Sequence, residues 1–217
     1  MPDVPPHRQP ASALALLVRH GTTPTTGKIL PGRAPGLHLS DAGVKQAAAT
    51  AKRIASLKHL PVAVYSSPLE RAMETAQPLA DILGLQVQVE PGLIECDFGE
   101  WTGAELKTLR RKQEWRNIQW LPSTFQFPGG ESFAAMQHRT VTTLDRLAAQ
   151  HSGQTFAAVS HADPIKAAVA AVAGVPLDLF QRFVISPCSV TAVTRGQTSA
   201  FVLCVNATTD LTELVVS

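Results

Sequence analysis

Cysteine is scarce in this chain, and no long apolar run is present. The three cysteines are Cys96, Cys188 and Cys204, which show no CxxC spacing and cannot all pair with one another. A disulfide framework and a cysteine-rich metal site are therefore not expected, and the three residues are interpreted as reduced thiols. Residues 1–11 hold no apolar core long enough for a signal peptide, and no apolar run in the chain approaches the length of a bilayer span. The sequence predicts a cytoplasmic protein with no membrane partner.

An excess of charge of one sign is also missing. The formal net charge is +2, and the lysines and arginines are scattered along the chain. Nucleic-acid-binding proteins usually concentrate their basic residues, so this distribution argues against a nucleic-acid partner. A small anionic substrate is still allowed, because its site needs only a few cations. The 217 residues suit one domain, which we expect over residues 12–217, after a disordered, proline-rich tail at residues 1–11.

Three short apolar runs each end in a turn of small or polar residues. They are Ala13–Val18 before Arg19-His20-Gly21, Val62–Tyr65 before Ser66-Ser67-Pro68, and Thr155–Val159 before Ser160-His161. Runs of this kind predict strands that are buried on both faces of a parallel sheet. Ligands bind beyond the carboxyl ends of such strands, so the residues of these three turns are expected to meet in space.

Helical patterns lie between the strands. We expect helices from Ser40 or Asp41 to Leu57, from Pro68 to Gly84, from Ser132 to His151, and from Asp163 to Gly174, with a short piece at 176–183. Ser189–Thr194 and Ala200–Asn206 predict a hairpin around Gly196-Gln197. The irregular region 101–130 is expected to form a lid or crossover. The order of elements predicts an α/β fold with a mostly parallel sheet and helices on both faces.

The first strand end carries the strongest chemical signal. His20 follows a buried strand, and an imidazole whose pKa is near its ordinary value is a competent nucleophile at neutral pH. Arg19 beside it offers a planar fork that matches phosphate oxygens. Gly21 lacks a side chain that would block a ligand. Alone, His20 could equally be a structural histidine bonded to a backbone carbonyl.

Three further residues make a phosphoryl-transfer site the better hypothesis. Arg71 lies in the predicted first turn of a helix, where the helix dipole disfavours a positive charge. A bound anion would explain an arginine at this position. His161 can donate to phosphoryl oxygens. Glu95 lies between apolar neighbours that would raise its pKa, which suits a general acid. Asp97 is a competitor for that role.

Five motifs, taken in order, resemble those of the histidine phosphatase superfamily, which includes the cofactor-dependent phosphoglycerate mutases. They are Leu-Val-Arg-His-Gly-Thr, Ser-Ser-Pro-x-x-Arg, Glu-Cys-Asp-Phe-Gly-Glu-Trp-Thr-Gly, Pro-Gly-Gly-Glu-Ser and Val-Ser-His, between about Ala13 and Val205. The resemblance implies a single-domain three-layer α/β/α sandwich. It implies no metal and no cofactor.

The resemblance also implies roles for individual residues. His20 would be phosphorylated, His161 would be its partner, and Glu95 would be the general acid. The substrate-binding residues would be Arg19, Gly21, Thr23, Thr26, Arg71, His161 and Ala162. Two departures stand out: Thr26 occupies a position where relatives often carry a phosphate-binding asparagine, and Asp163 places a carboxylate near an anion site. We expect Asp163 to cap its own helix.

The leading hypothesis is a phosphatase that acts on a small phosphorylated metabolite through a phosphohistidine. A phosphomutase is the alternative, although a modest insert at 103–130 and a short C-terminal tail favour hydrolysis. A catalytically inactive relative is a third reading, against which the intact residue set argues. Four basic residues could recognise the substrate or form a solvated helix face: Arg110, Arg111, Lys112 and Arg116. A homodimer through an edge strand is compatible with the sequence.

Overall fold

A six-stranded sheet lies at the centre of the molecule. The computed structural model describes residues 11–196 and 199–209. The strands are β1 (Ala13–Arg19), β2 (Pro61–Ser66), β3 (Val87–Val89), β4 (Thr155–Ser160), β5 (Val190–Arg195) and β6 (Ala200–Ala207). Their order across the sheet is β3-β2-β4-β1-β5-β6. The pairs within β3-β2-β4-β1 are parallel, while β5 and β6 join as an antiparallel hairpin.

Within the part of the chain that the structure describes, six α-helices connect or flank these strands. They are α1 (Asp41–Ala55), α2 (Glu70–Leu83), α3 (Leu106–Leu109), α4 (Gln113–Trp120), α5 (Phe133–Gln150) and α6 (Ala162–Val172). A 3₁₀ helix at Leu177–Arg182 corresponds to the short piece expected at 176–183. Ser40 caps α1 by accepting from the Gly43 amide, and Ser132 caps α5 by accepting from the Ala135 amide. Both hydroxyls satisfy amides that a helix leaves without partners in its first turn.

The sheet is covered on both faces. Alternate residues of β1 point in opposite directions: Leu14, Leu16 and Val18 pack with α1 and α2, whereas Ala15 and Leu17 pack with α5 and α6. Because a strand has a side-chain period of two, a continuous apolar run such as β1 requires apolar cover on each side. The predicted single-domain, three-layer α/β fold is confirmed.

Two predictions about helix starts were wrong. Pro68 does not open α2, which begins at Glu70 after an extended Leu69. Asp163 does not cap α6, because the cap position is His161 and its side chain makes no capping bond. Strand β4 runs up to Ser160 and α6 begins at Ala162, so a single residue is left for the junction. Asp163 is the second helical residue and cannot cap.

Several elements fell outside the predictions. The short strand β3 lies at the sheet edge, and the region 101–130 contains α3, α4 and a 3₁₀ turn at Pro122–Thr124. An aromatic cluster holds this region together, with Phe127 in edge contact with Phe98, Trp101 and Phe125. The tail expected at residues 1–11 lies outside the described residues except for Ala11, as does Gln197 of the hairpin turn.

Candidate active site

The carboxyl ends of three adjacent parallel strands meet at one edge of the sheet. His20 follows β1, Ser67 follows β2, and His161 follows β4, which lies between the other two strands. The His20 amide donates to Ser160 O at 2.9 Å, which continues the β1–β4 ladder past its last registered pair. The two imidazole ring centroids are consequently 5.1 Å apart. The expectation that these strand ends come together is confirmed.

The His20 ring is held in one tautomer. Its Nδ1 lies 2.7 Å from the carbonyl oxygen of Gly21. A carbonyl oxygen can only accept, so Nδ1 carries the proton and Nε2 keeps its lone pair. Burial lowers the pKa of His20 to about 3, with the positive charges of Arg71 and Arg19 lowering it further. The neutral ring is therefore the stable form near pH 7.

Gly21 is glycine for a packing reason. A Cβ on Gly21 would lie 2.8 Å from the carbonyl oxygen of Gly43 in α1. Its amide donates to Thr75 Oγ1 at 3.0 Å, and its carbonyl accepts from His20. The expectation was that the missing side chain admits a ligand; the structure shows instead that the free space is filled by α1. Gly21 is not among the residues that line the cavity described below.

Two arginines place guanidinium groups beside His20. Arg71 is fully buried, and its Nη2 donates to Gly32 O at 2.8 Å. Its Nε and Nη1 make no hydrogen bond within the described part of the chain, and neither does Arg19 Nε. Arg19 Nη1 donates to Ile185 O at 2.6 Å. Buried donors without acceptors are costly, so this arrangement is suited to an anion that would satisfy them.

His161 is fully buried between the sheet and this cationic site. Its Nε2 lies 2.8 Å from Ser67 Oγ, and its Nδ1 has no partner among the residues described. Burial, and then the neighbouring His20, hold the pKa of His161 well below its usual value. Ser67 had been singled out only as a turn residue, and its contact with His161 was not predicted.

Glu95 places a buried carboxyl group in the same site as His20. It is 8% exposed, and its Oε1 accepts from the Cys96 amide at 2.9 Å. Burial and the negative charge of Asp163 raise its pKa to about 7. The sequence-based expectation of a raised pKa is confirmed. A carboxyl group with this pKa is protonated in a useful fraction at neutral pH.

The loop that carries Glu95 is held by a network that the sequence did not reveal. Arg139 of α5 donates from Nη1 to Gly92 O at 2.8 Å and to Ile94 O at 3.0 Å. The same guanidinium pairs with both carboxylate oxygens of Glu131 at 3.0 Å. Arg33 completes the network, with Nε donating to Glu95 O at 2.8 Å and Nη2 to Glu131 at 2.9 Å. The backbone on either side of Glu95 is thus fixed.

Asp97, the other candidate acid, is occupied elsewhere. Its Oδ1 accepts from the Gly99 amide at 3.0 Å, and its Oδ2 lies 3.6 Å from Arg33 Nη1. Its side chain is 40% exposed. Asp97 is absent from the lining of the cavity, whereas Glu95 belongs to it. The geometry favours Glu95.

A cavity of about 280 Å³ opens in front of His20. Thr23 and Thr26 line it, and their hydroxyl oxygens are 3.0 Å apart. Ala162 and Asp163 also line it. The apolar wall comes from the region 101–130 and its neighbours, through the residues Phe98, Leu106, Trp115, Ile118, Phe127 and Phe133. The expected lid therefore does cover the site.

The basic residues of the lid lie outside this cavity. Arg110, Arg111, Lys112 and Arg116 are all exposed, and none of them lines it. Lys112 instead places its ammonium 5.3 Å from the centre of the Trp101 ring. Their exposure favours a solvated helix face over a role in recognising the substrate.

The described residues, 11–196 and 199–209, offer no cluster of side chains suited to a metal. Within them no group of three or more histidine, cysteine, aspartate or glutamate side chains is placed to hold a metal ion. Cys96, Cys188 and Cys204 carry free thiols. None of the helices in the described ranges is both long enough and apolar enough to cross a membrane.

A neutral, oriented imidazole beside buried cationic donors and a carboxyl group of raised pKa is an arrangement suited to phosphoryl transfer. Comparison with known proteins agrees. Residues 15–208 match the histidine phosphatase superfamily (branch 1). The chain is 34% identical over 206 residues to phosphoserine phosphatase 1 of Hydrogenobacter thermophilus. The aligned region covers 93% of this chain and 95% of that protein.

Two further relatives show the same likeness. Glucosyl-3-phosphoglycerate phosphatase of Mycolicibacterium vanbaalenii is 30% identical over 75% of each chain. The crystal structure of mycobacterial glucosyl-3-phosphoglycerate phosphatase matches with a TM-score of 0.80 and 25% identity, over 90% of this chain and 99% of that one. The protein belongs to the histidine phosphatase superfamily, and it is a phosphatase.

Proposed function

We propose that this phosphatase acts through a phosphohistidine formed on Nε2 of His20. The observation that carries the proposal is the 2.7 Å contact between His20 Nδ1 and Gly21 O, which leaves Nε2 unprotonated. Attack forms an Nε2–P bond and breaks the bond between phosphorus and the leaving oxygen. A neutral imidazole needs no prior deprotonation, so the step is available at neutral pH.

The charge that develops on the phosphoryl oxygens would be held by Arg19, Arg71 and His161. Arg71 has two buried nitrogens, Nε and Nη1, that no described residue satisfies. Preorganised donors of this kind stabilise a transition state because they need no reorganisation during the reaction. Thr23 and Thr26 line the cavity together with Arg19 and His20 and are proposed as further ligands.

Glu95 is proposed as the general acid and base. In the first step its proton moves to the leaving oxygen, so the departing group leaves as an alcohol. In the second step the carboxylate takes a proton from water as the water oxygen attacks phosphorus, and the Nε2–P bond breaks. A pKa of about 7 suits both directions of proton transfer.

The substrate is proposed to be small. The cavity of about 280 Å³ accommodates a phosphoryl group and a short leaving group. The relatives named above act, by their names, on phosphoserine and on glucosyl-3-phosphoglycerate. A cytoplasmic location is proposed from the three free thiols. A homodimer through an edge strand stays a prediction.

The test is to trap the phosphoenzyme. The wild-type protein, mixed with a ³²P-labelled phosphomonoester and quenched in alkali, should retain acid-labile label; His20→Ala should retain none. His138→Ala is the matched control, because His138 is exposed and lies outside the cavity. If His20→Ala still acquires label and hydrolyses an aryl phosphate at the wild-type rate, the nucleophile is another residue. Release of label to a second alcohol rather than to water would indicate a phosphomutase.

A further inference from the structure

Two opposite charges face the cavity beside the phosphoryl site. Asp163 and Lys166 lie one turn apart on α6, with Lys166 Nζ 3.4 Å from Asp163 Oδ1. Lys166 also donates to Gln181 Oε1 at 2.9 Å. The two charged side chains are only 17% and 16% exposed, and all three residues line the cavity. Lys166 is thus held in place from two sides.

A purely structural explanation accounts poorly for this pair. An acidic residue in the first turn of a helix and a lysine three residues later stabilise a helix by about 0.2–0.5 kcal/mol. Both gains are available to residues on the exposed face of α6. Asp163 instead lies close enough to Glu95 for its negative charge to disfavour the Glu95 carboxylate. Asp163 also lines the cavity in which the phosphate is proposed to bind, and its negative charge would repel that phosphate.

The proposed phosphoryl step leaves these two residues unused. Besides Asp163 and Lys166, the ionisable residues that line the cavity are Arg19, His20 and Glu95. Arg19 and His20 are assigned to the phosphoryl group, and Glu95 is assigned to the leaving oxygen. The remaining wall is apolar or carries hydroxyl and amide groups. Asp163 and Lys166 are therefore the charged groups that could contact the rest of the substrate.

We infer that Asp163 and Lys166 form a subsite for a zwitterionic leaving group, an inference that rests on the proposed function. Asp163 accepts from an ammonium group, and Lys166, held by Gln181, donates to a carboxylate. The long Asp163–Lys166 contact is then replaced by two charge-assisted contacts with the substrate. The substrate class is an O-phosphorylated amino acid rather than a phosphorylated sugar.

The experiment compares kcat/KM for four alkyl phosphates of similar size. O-phosphoserine carries both charges, phosphoethanolamine only the ammonium, 2-phosphoglycolate only the carboxylate, and glycerol 2-phosphate neither. The wild-type protein should prefer phosphoserine. In Asp163→Asn the preference for phosphoethanolamine over glycerol 2-phosphate should fall about tenfold or more. In Lys166→Gln the preference for 2-phosphoglycolate over glycerol 2-phosphate should fall in the same way.

The matched control is Asp41→Asn. Asp41 also lies in the first turn of a helix, but it is exposed and outside the cavity. This variant should keep every ratio of the wild-type protein. If Asp163→Asn lowers kcat/KM equally for all four substrates, Asp163 acts on Glu95 or on folding, and the subsite is wrong.

Binding to His20→Ala separates this inference from the proposed function. This variant keeps Asp163 and Lys166 but lacks the proposed nucleophile, so calorimetric affinity reports the subsite without turnover. Phosphoserine should bind more tightly than glycerol 2-phosphate, and adding Asp163→Asn should remove the difference. Equal affinities before that addition would overturn the subsite even if His20 is the nucleophile. A retained difference, with no phosphoenzyme in the wild-type protein, would overturn the mechanism alone.

Discussion

The imidazole rings of His20 and His161 lie 5.1 Å apart, at the ends of the neighbouring strands β1 and β4. Each ring has its own hydrogen-bond partner, and neither ring is held by the other. His20 is fixed by its bond to Gly21 O, and His161 by its contact with Ser67 Oγ. Two rings on rigid strands can act on one phosphoryl group without a conformational search.

His161→Ala is expected to lower kcat by about 100- to 1000-fold, the usual effect of removing a donor from a developing oxyanion. KM should change much less, because the arginines still bind the ground-state phosphate. Single-turnover formation of the phosphoenzyme measures this effect directly. His59→Ala is the control, since His59 is exposed and outside the cavity. A raised KM with unchanged kcat would assign His161 to ground-state binding only.

The pH dependence of kcat/KM should reflect Glu95. The acid must be protonated, and its pKa is raised to about 7, so activity should fall as the pH rises through 7. His20 must be neutral, and its pKa is lowered to about 3, so it should not limit activity between pH 4 and 7. Glu95→Gln should abolish the alkaline fall for an alkyl phosphate and slow alkyl substrates more than aryl ones. An alkaline fall that persists in Glu95→Gln would show that another group supplies the proton.

Arg71→Lys should behave as a severe substitution. Lysine lacks the planar fork, and its single ammonium cannot replace Nε and Nη1 while also bonding Gly32 O. We expect kcat/KM to fall by about 100-fold. Inorganic phosphate should raise the Tm of the wild-type protein, since a ligand stabilises the state that binds it, and raise that of the variant much less. Lys52→Arg on the exposed face of α1 is the control. Equal stabilisation of both proteins by phosphate would exclude Arg71 from the anion site.

Gly43→Ala should destabilise the protein and disturb the site. A Cβ at this position would lie 2.1 Å from the carbonyl oxygen of Thr22, so α1 must move away from the turn that carries His20. We expect a loss of about 1–3 kcal/mol in the free energy of unfolding, measured by urea titration, with a lower kcat. Ala49→Gly, at an exposed position of the same helix, should cost about 1 kcal/mol and leave kcat unchanged. Unchanged stability in Gly43→Ala would mean that the loop containing Thr22 moves aside without a cost in the free energy of unfolding.

The strands that carry the site were predictable because their signal is local. β1, β2 and β4 are buried on both faces, so each is a continuous apolar run that ends at a polar turn. β3 was missed because it has only three residues, two of which are exposed at the sheet edge. The start of α6 was misjudged because Asp163-Pro164 imitates a helix opening. Its true start depends on where β4 leaves the sheet, which is a property of strand pairing.

The network that holds Glu95 could not be predicted for a different reason. Its contacts join Arg33 and Arg139 to backbone carbonyls that are distant in sequence, and both arginines to the carboxylate of Glu131. Such residues have the same local pattern as solvated surface charges. Only the packing of α5 against the 3₁₀ turn at Pro91–Leu93 turns Arg139 inward.

That network yields the last prediction. Arg139→Met removes two bonds to the backbone beside Glu95 and leaves Glu131 with Arg33 as its remaining cation. Because the displaced loop carries the proposed general acid, kcat for an alkyl phosphate should fall about tenfold or more. An aryl phosphate, whose leaving group needs little protonation, should be affected less. The matched control is Arg146→Met, which removes another cation from the same helix. The ion-pair partner of Arg146 is Glu90, which lies farther from Glu95 in the sequence than Gly92 and Ile94 do. Equal losses for both leaving groups would show that Arg139 supports the fold without positioning Glu95.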